Sequence, residues 1–171
     1  MSASLSSKEM LFQPVVGNHY VQLYENAEQL TKAVGHFVTN DLSDSQAIVI
    51  IATELHIQAF YTYLSQHYFD IDHLLNTGRL KFFDANKLLI KFVENEVPNG
   101  TLFFTTLHSI FKELFRSFQN VRIYGEMVDI LWQNGQKVAA IQLEEYWNLL
   151  LKNYDFSLLC AYRIDNLEHE N

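Results

Sequence analysis

AIVIIA, residues 47–52, is an unbroken apolar run containing three isoleucines and a valine. β-Branched side chains favour extended backbone, and a run with no polar alternation suits a strand covered on both faces of a parallel sheet. Outward from it, strand and helix patterns alternate. Upstream, HYVQLY at His19–Tyr24 predicts a first strand, and residues 27–40 carry Leu30, Ala33, Val34, Phe37 and Val38 at helical spacing. Downstream, residues 54–67 return to a helical pattern with Leu55, Ala59, Phe60 and Tyr63 inward. RLKFF (79–83) predicts a third strand, and Asp84 opens a helix whose face is Leu88, Leu89 and Phe92. VPNG (97–100) is a break. A helix over 101–118 follows, then a strand at VRIY (121–124), a short helix over 126–133, a helix over 137–152 and a last strand at FSLLCA (156–161). This order predicts an α/β fold in three layers, with a mostly parallel central sheet of about five strands.

Composition narrows the function classes. The 171 residues are 49% hydrophobic, with only 6 Gly and 2 Pro, which fits one domain of long elements and short loops. The net charge is −8, and no Lys/Arg run offsets it, which disfavours nucleic acid and anionic membranes as partners. The single cysteine, Cys160, excludes an internal disulfide and lies in an apolar strand, where a buried structural thiol is expected. The N-terminal stretch has no signal-peptide core, and no apolar run is long enough to span a bilayer. A cytoplasmic protein is expected, with a loose arm at 1–18, one domain at 19–162 and a polar tail at 163–171.

In open parallel sheets, ligands gather at the C-terminal ends of the strands. Those ends nominate Tyr24, Thr53, Asp84, Tyr124, Glu126 and Tyr162 as ligand-binding candidates. The turns after the first two strands contain neither glycine nor lysine and carry Glu25, Glu28 and Glu54, so a phosphate-gripping loop is absent. The seven histidines show no close helical pairing, so the spacing predicts no metal site. No nucleophile elbow is present. Asp84 and Glu126 could share a cleft as an acid/base pair if their strands were neighbours; otherwise both read as helix-terminal acids. His19, at the start of its strand, reads as a hydrogen-bonded structural residue, and Trp147 as a core residue. Of the adjacent Glu144 and Glu145, at most one can face inward, because neighbouring helical positions diverge by about 100°.

The strings HYVQLYENAEQL, GRLKFFDA, VRIYGEMVDILW, AAIQLEEYWNLL and FSLLCAY, in this order from His19 to Tyr162, resemble the MEDS sensory family of methanogens and methylotrophs, which includes a regulator of dichloromethane use. The resemblance implies a degenerate KaiC/RecA-like P-loop fold without its Walker motif, a role in signal transduction and a small organic ligand; no cofactor is expected. It adds His19, Arg122, Gly125, Glu144, Trp147, Asn148 and Cys160 as structural or supporting candidates. Output domains common in the family do not follow Tyr162 here, so a separate signalling protein, a kinase or transcription regulator, or self-association into a homo-oligomer is expected. Three readings stand: a sensory module, an interaction domain that has lost its ligand, and a divergent nucleotide-binding enzyme.

Overall fold

The computed structural model describes residues 14–68 and 70–164. In chain order the elements are β1 (His19–Tyr24), α1 (Ala27–Thr39), β2 (Gln46–Ala52), α2 (Glu54–His67), α3 (Ile71–Asn76), β3 (Leu80–Asp84) and α4 (Ala85–Phe92). There follow β4 (Val93–Glu94), β5 (Val97–Pro98), α5 (Gly100–Ser117), β6 (Asn120–Gly125), α6 (Met127–Gln133), α7 (Lys137–Leu151) and β7 (Phe156–Arg163). Five strands form one sheet in the order β1-β7-β6-β2-β3. Every pairing within it is parallel.

The apolar run explains its own position. Ile48, Ile50 and Ala52 face one core with Leu30, Phe37, Phe60 and Tyr124. Ala47, Val49 and Ile51 face the other, with Leu88, Phe103, Phe111 and Trp147. Strand side chains alternate between faces, so a strand covered on both needs apolar residues at every position. Helices α1, α2 and α3 cover the first face; α4, α5, α6 and α7 cover the second.

The two layers fix the direction of travel. The chain crosses from β1 to β2 and on to β3 over the first face, then returns to β6 and β7 over the second. A right-handed crossover requires this change of face when direction reverses. At the C-terminal ends, the chain leaves β2 towards β3 and leaves β6 towards β7. Their outgoing segments therefore diverge, and the crevice between β2 and β6 is the switch point of the sheet.

Local chemistry sets the helix starts. Asn26, Thr53, Asp70, Asp84 and Asn99 each accept a hydrogen bond from the third residue of the helix that follows. Arg122 ties the far end of the first layer together. Its buried guanidinium donates to Phe37 O (3.3 Å), to Asn40 O and to Gln46 Oε1 (3.3 Å), which satisfies terminal carbonyls of α1.

Three sequence readings change. The break read at 97–100 is a β4–β5 hairpin running into the Asn99 cap, turned by Asn95 and Glu96, both with positive φ. Helix α3 was not anticipated. The expected tail begins too early, because Arg163 lies in β7 opposite Tyr24. The arm is described only from residue 14, where Gly17 N already bonds Phe156 O at 2.7 Å; the rest of arm and tail lies outside the described residues. Among the described residues, no helix is long and apolar enough to cross a membrane.

Candidate functional site

Two polar clusters interrupt the apolar cores. The first sits at the switch point. Glu126 follows β6 directly, its backbone N–H bonded to Ile51 O of β2 at 2.9 Å. That bond turns the carboxylate across the crevice to the first turn of α2, where Oε1 lies 2.7 Å from His56 Nδ1 and 3.4 Å from Thr53 N. The other oxygen accepts from the Tyr124 hydroxyl at 3.1 Å. Glu126 is only 2% exposed, while the His56 side chain is 21% exposed. Its hydrogen bond to Glu126 raises the His56 pKa above the ordinary histidine value, against the opposing effect of burial.

A second buried acid completes this end. Asp129, in the first turn of α6, accepts from the Tyr24 hydroxyl at 2.6 Å, from Arg163 N at 3.1 Å and from Gln133 Nε2 at 3.2 Å. Burial first, then the bond to Asp129, holds the Tyr24 phenol protonated far above its ordinary range. Burial and the charge of Glu126 do the same for Tyr124. Both phenols therefore act as donors, and both carboxylates as acceptors. With two carboxylates, two phenols and one half-buried histidine, the arrangement favours a guest that donates hydrogen bonds and repels a phosphate.

Four of the six ligand candidates thus meet here: Tyr24, Thr53, Tyr124 and Glu126. Two do not. Asp84 lies beyond β2 at the sheet edge, where its carboxylate caps α4 by accepting from Lys87 N at 3.1 Å. Because β2 separates β3 from β6, Asp84 and Glu126 form no acid/base pair. Tyr162 belongs to the other cluster.

That cluster lies on the α7 side of β1 and β7. Tyr162 donates to Glu144 Oε1 at 2.5 Å, Glu144 Oε2 is 3.1 Å from His19 Nε2, and His19 Nδ1 lies 2.8 Å from Asn148 Oδ1. Cys160 Sγ completes the group, with the ligand-capable atoms of His19, Glu144 and Cys160 all within 4.8 Å of one another. Burial, then the charge of Glu144, pushes the Cys160 thiol well up. Glu145 is exposed, as the helical geometry required. Gly125 and Trp147 are packing partners: a Cβ on Gly125 would meet Trp147 Cζ2 at 3.3 Å.

The family model for the MEthanogen/methylotroph, DcmR Sensory domain matches residues 18–171. The chain belongs to the MEDS family. Comparison with curated proteins gives no match. As a MEDS domain it is a sensory module by family, and both clusters fall inside the matched span. Sequence reasoning missed His56 and Asp129. The signal for both was spacing: each stands three residues past a strand-end candidate, Thr53 or Glu126, where one helical turn brings it back over that residue.

Proposed function

We propose that this MEDS domain senses a small organic molecule, neutral or cationic and bearing a hydrogen-bond donor, in the β2/β6 crevice, without hydrolysing nucleotides. The observation that carries this reading is the Glu126–His56 pair spanning the switch point, a buried carboxylate bonded to a half-exposed imidazole. A donor entering beside His56 competes for Glu126, and α2, which carries His56, moves with the outcome. Such a ligand shifts the population of states only as far as it binds them unequally. The glycine-free, acidic turns after β1 and β2 support the absence of phosphate chemistry. The degenerate P-loop ancestry that the family resemblance implies is consistent with these turns.

Calorimetric titration tests it, with small alcohols, amines and amides as the panel and ATP with magnesium as the comparison. The expected result is saturable binding of a panel member, weakened at least about tenfold in Glu126→Gln, a loss of one charge-assisted hydrogen bond. Magnesium-dependent ATP turnover, or panel binding untouched by Glu126→Gln, contradicts the reading.

One observation favours a partner as well. Among the described residues β1 is an edge strand, and its Val21 and Leu23 are 53% and 54% exposed. An open strand edge with apolar side chains suits addition of a strand from another chain, a signalling protein or a second copy. Val21→Lys combined with Leu23→Lys should abolish any association detected by light scattering or co-purification and leave the circular dichroism spectrum unchanged.

A further inference from the structure

We propose that His19, Glu144 and Cys160 form a binding site for a divalent transition metal of borderline softness, with zinc the best match. The three side chains come from β1, α7 and β7, so no spacing motif announces them. The fold brings one nitrogen, one oxygen and one sulfur ligand within 4.8 Å of one another. Tetrahedral zinc bonds of about 2.0–2.3 Å set ligand atoms about 3.3–3.8 Å apart, so the side chains need to close by at most about 1.5 Å.

The orientation of His19 argues for a cation. Asn148 Oδ1 can only accept, so the imidazole hydrogen sits on Nδ1, 2.8 Å away. In the neutral ring, the lone pair is then on Nε2, which is buried and has no hydrogen-bond partner among the described residues. Glu144 Oε2 approaches Nε2 to 3.1 Å but out of line for a hydrogen bond. A lone pair facing a carboxylate oxygen in a buried site is repulsive unless a positive charge lies between them. A metal ion also takes up the sulfur beside them, which a proton does not.

The surroundings match how proteins hold metals. Ligating histidines usually bond outward through the second nitrogen, and ligating carboxylates are held by hydrogen bonds. Here Asn148 holds His19, and Tyr162 holds Glu144 through the oxygen that does not face Nε2, at 2.5 Å. Three protein ligands leave a fourth position for an exogenous group. A cleft of about 480 Å³ lined by Gly17, Asn18, His19, Tyr20, Asn148 and Lys152, among others, reaches the cluster from the N-terminal end of β1. This site is on the opposite face of the sheet from the Tyr24 and Tyr124 side chains and does not depend on the crevice proposed above.

Cobalt titration of full-length protein, stripped with chelator under reducing conditions, reads the site directly. The expected result is one equivalent of Co²⁺ giving a thiolate-to-cobalt charge-transfer band with visible d–d bands, displaced by zinc. Cys160→Ser should remove the charge-transfer band. Tyr162→Phe and Asn148→Ala, at partly exposed positions, should weaken affinity about 10–100-fold with circular dichroism unchanged, as expected for outer-shell partners. These two variants carry the test should Cys160→Ser fail to fold. Absence of a charge-transfer band at saturating cobalt, or cobalt affinity unchanged in both outer variants, overturns the proposal.

Discussion

Replacing Glu126 with glutamine keeps the shape of the side chain and removes its charge. Thr53 N and the Tyr124 hydroxyl bond different carboxylate oxygens, so the single amide oxygen can keep only one of them, and the charge-assisted bond to His56 at 2.7 Å cannot be reproduced. Breaking a fully buried ion pair costs about 3–5 kcal/mol. A hydrogen bond to a charged group is worth about 1.5–3 kcal/mol. His56 is 21% exposed and partly screened, which places the expected loss near the lower range, at about 2 kcal/mol. For a domain of this length that is a fall in melting temperature of about 4–8 °C. The loss carries a pH signature. The fold raises the His56 pKa above its unfolded value, so this stabilisation is fully present below about pH 6.5 and fades as pH rises through the folded value. Urea unfolding of both proteins at about pH 6 and about pH 9 measures it, provided the m-values agree. The gap should be widest at the lower pH and narrow at the higher. Superimposed curves at the lower pH, or a gap that grows with pH, would refute the claim that Glu126 holds a protonated His56.

Two further substitutions separate support from recognition. Asp84→Ala removes the α4 cap and should cost about 0.5–2 kcal/mol in thermal or urea unfolding, with binding of any crevice ligand unchanged. Gly125→Ala drives a methyl against Trp147 Cζ2 at 3.3 Å and should destabilise by about 1–3 kcal/mol, readable as a drop in the urea midpoint; an unchanged midpoint would mean that Trp147 moves freely, against its complete burial.

The sheet was legible because its strands are chemically simple. β2 offers no polar position after Gln46, so it had to lie inside, and α5 repeats Phe103, Leu107, Phe111 and Leu114 along one stripe that the structure buries. Helix α3 escaped because six residues make too short a window for periodicity, and its start depends on Asp70 in a left-handed conformation. The hairpin escaped because its turn uses Glu96 at positive φ in place of glycine. The site was half legible. Strand ends named Glu126, Tyr24 and Tyr124, but strand order decides neighbours, and nothing local in the sequence says that β2 parts Asp84 from Glu126. The gathering of His19, Glu144 and Cys160 has the same cause: three residues distant in sequence meet only after β1 pairs with β7 and α7 packs over both.

Amide chemical shifts followed through titration with the ligand identified by calorimetry test the central claim most directly. The β2/β6 account predicts that the largest changes map to Thr53, His56, Gly125, Glu126 and Asp129, on both sides of the crevice. Changes confined to the far end of the sheet, around Gly17, Asn18 and Tyr20, would contradict it.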